Sequence, residues 1–123
     1  MTDTPSLDDL RRRIDRLDDA LHDTLMQRAE LVAEVARRKA ADSTPPLRPG
    51  REAQILRRLV ARHRGAFAKP VLVRLWRELL SGTTAMQAKL EVAVTAPPAG
   101  TSLWDLSRDH FGSQTAMTPL RSA

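Results

Sequence analysis

From Ser6 through Asp42 the chain contains neither glycine nor proline, so no residue interrupts a helix across this stretch. Apolar residues recur at Leu7, Leu10, Ile14, Leu17, Leu21, Leu25, Leu31 and Val35, which is helical spacing. Ser6 offers a cap with Asp9 as its reciprocal partner, Asp8 and Asp9 suit the positive end of the dipole, and Arg37, Arg38 and Lys39 suit the negative end. A helix of about 34 residues is about 51 Å long, whereas a compact chain of this size is roughly 35 Å across. Such a helix overhangs its own body with an apolar seam exposed. The simplest remedy is a second copy, so the pattern predicts a homodimer in which this helix packs on its twin and both chains share a core.

The seam has one fault. The slot after Leu21 and Leu25 is Arg28, and Lys39 lies one turn beyond Val35. At about 100° per residue these two cations differ by roughly 20° in azimuth and lie about 16 Å apart along the axis. Two positive charges therefore look inward along one face.

Beyond Asp42, Ser43-Thr44-Pro45-Pro46 breaks the helix and a loop runs to Pro49-Gly50. A second helix is expected over about 51–64, with Ile55, Leu56, Leu59 and Val60 inward and Gly65 as its stop. Lys69-Pro70 opens a third helix, expected to continue to Val92 or Val94. Thr95 to Gly100 reads as a linker, TSLWDLSRDHFG as a short helix capped by Thr101 or Ser102 and closed by Gly112, and the last residues as irregular. No strand pattern stands out. The predicted fold class is all-α: a three-helix chain with a very long first helix in an intertwined homodimeric bundle, with residues 1–94 as the helical domain and 95–123 as linker and extension.

Composition narrows the chemistry. With no cysteine, disulfide scaffolds, thiol catalysis and cysteine metal sites are excluded. No apolar run approaches the roughly 20 residues a bilayer needs, and the start lacks a basic region followed by an apolar run, so a cytoplasmic protein without a membrane partner is expected. Twenty Lys and Arg against 15 acidic residues favour an anionic partner. Aromatic residues are only 3%, which disfavours base-stacking platforms, and the arginine clusters Arg11-Arg12-Arg13, Arg57-Arg58 and Arg62-His63-Arg64 read mainly as solvated faces, so no nucleic-acid partner is expected. His22, His63 and His110 share no metal-ligand spacing, and no phosphate loop, GxSxG or zinc motif occurs.

The polar residues that break the seams form a set. Arg51 and Glu52 begin the stripe of the second helix, and along the third the progression Leu75, Leu79, Thr83, Gln87, Leu90 puts a hydroxyl and an amide where apolar residues belong. Gly82 beside them costs roughly 1 kcal/mol in a helix interior, which a close ligand approach would justify. Taken singly, each has an ordinary account. Arg28 pairs with a carboxylate such as Glu52, Lys39 is solvated near a helix end, Gln87 is a satisfied amide, and Glu52 is a first-turn charge. Taken together, the cations outnumber the inward acids, and buried cations are costly unless paired. A cavity of this lining suits a small dianion that carries a hydroxyl.

These residues resemble the all-helical class of chorismate mutases over about Leu7 to Val94. The resemblance rests on LRRRID with Arg11, MQRAELVAEVARRK with Arg28 and Lys39, RPGREAQIL with Arg51 and Glu52, and LWRELLSGTTAMQ with Thr83 and Gln87. It implies rearrangement of chorismate to prephenate on the route to phenylalanine and tyrosine, by an intertwined dimer with two equivalent sites and no cofactor or metal. By the same resemblance, Arg28 and Arg11 from the other chain hold the substrate carboxylates. Lys39 and Gln87 donate to the ether oxygen, Glu52 accepts from the ring hydroxyl, Thr83 assists at a carboxylate and Arg51 supports the site.

Helix geometry agrees with the shared site: Arg11 precedes Arg28 by seventeen residues, about 25 Å along the axis and about 100° round it. One helix cannot bring both to one small molecule. Two departures from the family pattern stand out. Arg48 occupies a position where well-known members carry an acid that contacts the hydroxyl, so that contact is either missing or replaced by another carboxylate clamp, and Thr83 stands for a serine. The segment LWDLSRDHFGSQTAMT resembles the start of a domain that some bacterial members carry after the mutase, which leaves open a truncated second domain. Isochorismate-pyruvate lyase on the same fold, a non-catalytic helical dimer that retains the anion pocket and, as a more distant option, a basic nucleic-acid-binding dimer stand as alternatives.

Overall fold

The computed structural model describes residues 4–42, 48–87, 90–95 and 102–120. Among these, the element order is α1 (Leu7–Asp42), α2 (Pro49–Arg62), α3 (Lys69–Gln87), β1 (Glu91–Thr95), α4 (Leu103–Phe111) and β2 (Ala116–Leu120). The chain divides into two compact units, residues 1–35 and 36–123.

The first unit is the bulk of α1. Its start is the expected reciprocal cap: the Ser6 hydroxyl accepts from the Asp9 N–H at 3.0 Å, and the Ser6 N–H donates to the Asp9 carboxylate at 3.3 Å. Arg12 and Ser6 together hold the Asp9 carboxyl below its ordinary pKa. No described residue of α1 is buried, and its seam is open, with Leu17 65% and Leu31 68% exposed. No helix is long and apolar enough to cross a membrane among the described residues.

In the second unit, α2 begins at Pro49, two residues before the expected start, because Pro49 fits the first turn, where an N–H would lack a partner anyway. It ends at Arg62, and Gly65 takes a positive φ of 93° in the turn that follows. Helix α2 packs on α3 and α3 on α4. Among the described residues the buried apolar ones are Leu56 and Leu59 from α2, Leu80 from α3 and Val94 from β1.

The C-terminal part departs from expectation. Helix α3 stops at Gln87 instead of continuing to Val92 or Val94, and residues 91–95 form a strand. The tail expected to be irregular supplies β2, which pairs with β1 in parallel, Glu91 opposite Ala116 and Thr95 opposite Leu120. Parallel strands need a crossover, and α4 supplies it. Ser102 caps α4 by accepting from the Asp105 N–H at 3.1 Å, and Gly112 closes it at φ 80°, both as the sequence suggests. The alternative cap Thr101, the proline break at 43–47 and most of the expected linker lie outside the described residues.

Candidate active site

Lys39, near the end of α1, and Gln87, the last residue of α3, lie 48 positions apart in sequence yet meet in space. The Lys39 ammonium donates to the Gln87 side-chain oxygen at 3.3 Å, and both residues are half-buried. The amide nitrogen of Gln87 keeps its donor capacity. A charged donor and a side-chain amide thus lie side by side on half-buried ground. That arrangement suits an oxygen on which negative charge grows.

Glu52 sits in the first turn of α2, half-buried in a pocket that it shares with Arg77, Ser81 and Thr84 of α3 and with His110 and Phe111 of α4. Burial raises its carboxyl above the ordinary glutamate pKa, while the positive charge of Arg77 opposes that rise. Thr83 is buried, and its hydroxyl is turned back on its own helix, 3.1 Å from the Leu79 carbonyl and 3.2 Å from that of Leu80. A role at a substrate carboxylate requires this side chain to rotate.

Arg28 is half-buried, with Nη1 sealed from solvent. Arg11 is exposed and pairs locally with Asp8 at 3.4 Å. Arg48 and Arg51 are exposed at the start of α2, and Arg48 makes no side-chain cap for that helix. Within the second unit the fold therefore joins Lys39 to Gln87 directly. No group of three or more His, Asp or Glu side chains is placed to hold a metal among the described residues.

Two neighbours of Glu52 were not singled out from sequence. Arg77 follows Trp76 in the third helix with no reading of its own, and His110 belongs to a segment with no expected role. Arg77 is half-buried, and burial and the Arg77 charge both lower the pKa of His110. The only available signal was position: Arg77 lies four residues before Ser81 and seven before Thr84, on one face of α3.

The type II chorismate mutase family model matches residues 10–88, about two thirds of the chain. The chain is 34% identical over 98% of its length to a bifunctional chorismate mutase/prephenate dehydratase of Pseudomonas aeruginosa. It is 33% identical over 98% of its length to the protein of the same name from Stutzerimonas stutzeri, and 29% identical over 92% to that from Aquifex aeolicus. It spans about a third of the length of each of these curated relatives. The helical order, the long first helix and the match across 10–88 lead to one conclusion: the chain belongs to the type II chorismate mutase family.

Proposed function

We propose that this chain converts chorismate to prephenate, acting as a cytoplasmic homodimer on the route to phenylalanine and tyrosine. The observation that carries the reading is the Lys39–Gln87 pair, in which the ammonium at the end of α1 donates to the side-chain oxygen at the end of α3 at 3.3 Å. In the rearrangement the ether C–O bond breaks as a new C–C bond forms within the same molecule, and negative charge gathers on the ether oxygen. Lys39 and Gln87 donate to that oxygen. Glu52 accepts from the ring hydroxyl. Arg28 and the Arg11 of a second chain hold the two carboxylates by charge-assisted hydrogen bonds, with Arg51, Arg48 and Thr83 in support. No nucleophile or proton relay takes part. The acceleration comes from holding a reactive conformer and stabilising its polarised transition state. A million-fold effect needs about 8 kcal/mol, which those two contributions together can supply.

The dimer is supported by the open seam of α1, whose leucines would otherwise face water along its length. The relatives' second named activity, prephenate dehydratase, is not extended to this chain, which covers about a third of them. Purified protein incubated separately with chorismate and isochorismate, with prephenate and salicylate followed, tests the reading. Prephenate from chorismate supports it. Salicylate from isochorismate alone would make the chain a lyase, and turnover of neither would make it a non-catalytic dimer.

A further inference from the structure

We propose that Arg77 is a positioning residue for Glu52, and that the turn following α4 holds Arg77 in place. The inference rests on the reading of Glu52 as the acceptor of the substrate hydroxyl and adds to it a residue and a role for the C-terminal segment.

The turn is fitted to α3 with unusual specificity. Gly112 takes a φ of 80°, and a Cβ there would lie 2.3 Å from Cβ of Ser81 and 3.2 Å from the carbonyl oxygen of Arg77. The chain therefore passes directly against the α3 backbone at Arg77, where only glycine fits. Polar contacts fix the approach on both sides of that point. Arg74 pairs with Asp109 at 2.9 Å, the Glu78 carboxylate accepts from the Ser113 N–H at 3.0 Å and from its hydroxyl, and the Ser81 and Thr115 hydroxyls meet at 3.2 Å. Arg108 ties the turn to itself, with one nitrogen donating to the carbonyls of Gly112, Ser113 and Thr115 at 3.0, 3.3 and 2.6 Å. Arg77 is flanked by these ties, one turn from Arg74 and next to Glu78.

Its charge acts on the pocket that α4 closes. The ionisable groups that line this pocket are Glu52 from α2, Arg77 from α3 and His110 from α4. Arg77 opposes the effect of burial on Glu52 and lowers the pKa of His110. Of the two basic neighbours, Arg77 is thus the one whose charge works against the burial of Glu52 and favours its carboxylate form, and a charged carboxylate is the better acceptor for a hydroxyl. A half-buried carboxylate without such a neighbour would take up a proton at higher pH and lose that capacity.

The test is the pH profile of kcat/KM for chorismate in the full chain, comparing the parent with Arg77→Gln, Arg77→Met and Arg77→Lys. Both neutral variants keep most of the stem, so either one that folds gives the reading. The expected result is an acid limb moved to higher pH in the neutral variants, with a several-fold loss at the acid end that narrows toward alkaline pH. Arg77→Lys, which keeps the charge, should retain the parent's limb. An unmoved limb in a folded neutral variant overturns the proposal. So does failure of both neutral variants to fold while Arg77→Lys is active, which would make Arg77 structural. A parent protein that does not turn over chorismate defeats the functional reading itself, a result distinct from either.

Discussion

The two ends of this chain handle exposed surface in opposite ways. Helix α1 presents a stripe of leucines and buries none of its described residues, whereas the joint between α3 and α4 is small, polar and closed by a glycine that admits no side chain. An apolar stripe is non-directional and accepts any matching stripe, including that of another copy. A polar joint with a close backbone approach accepts one geometry only. The first kind of surface is suited to assembly between chains, the second to fixing one residue within a chain.

The largest effect expected falls on neither surface but at Lys39. Lys39→Ala should lower kcat by about 10²–10³-fold, the cost of losing one donor aimed at developing charge, while thermal stability changes little. Steady-state kinetics alongside thermal melts checks this, and parent-like turnover would remove Lys39 from the mechanism. Next, a charge placed in the stripe, Leu17→Glu, should shift the sedimentation mass toward the monomer and lower turnover in step with the loss of dimer. An active monomer would separate the stripe from the site.

Gly112→Val sharpens the other side. At φ 80° and ψ 177° the backbone is in a region nearly confined to glycine, which costs another residue about 1–3 kcal/mol, and the clash with Ser81 and the Arg77 carbonyl adds to it. Thermal melts should show a clear loss of stability, and the acid limb of activity should move in the same direction as in the neutral Arg77 variants. The smallest effect concerns Glu52→Gln. Burial raises the folded pKa of Glu52 above its unfolded value, so its contribution to stability is present below the unfolded pKa and lost as pH rises through the folded one. At neutral pH the glutamine variant should melt slightly higher than the parent, the two should converge in acid, and the variant should turn over poorly. A lower melting point at neutral pH would show that the charge is better paired than this account holds.

What was legible in the sequence follows from signal length. The long uninterrupted stretch, its Ser6–Asp9 cap and the glycine stop at 112 each rest on a strong local rule, and each is found in the fold, whereas α2 ends at Arg62 with His63 as its cap and Gly65 falls in the turn beyond. The Lys39–Gln87 meeting was legible only through faults in two seams and the family resemblance. The strands were not legible, for a physical reason. Met86, Leu90 and Val94 continue a helical stripe, while Glu91 to Thr95 also alternates, with Val92 half-buried and Val94 buried, and five residues cannot decide between the two periods. Pro119 reads against a strand, yet β2 pairs with one neighbour only among the described residues, where a missing N–H is tolerated. Arg77 gave only a positional sign, a shared face with Ser81 and Thr84, because the turn that packs against it lies 35 residues away.

The central claim is that one site draws on two chains. Arg11→Ala and Arg28→Ala proteins should each be inactive. Mixed in equal amounts and allowed to exchange, they should regain about a quarter of parent activity, because half the dimers are then mixed and each mixed dimer has one intact site of two. No recovery, with exchange verified by native mass spectrometry, would contradict the account.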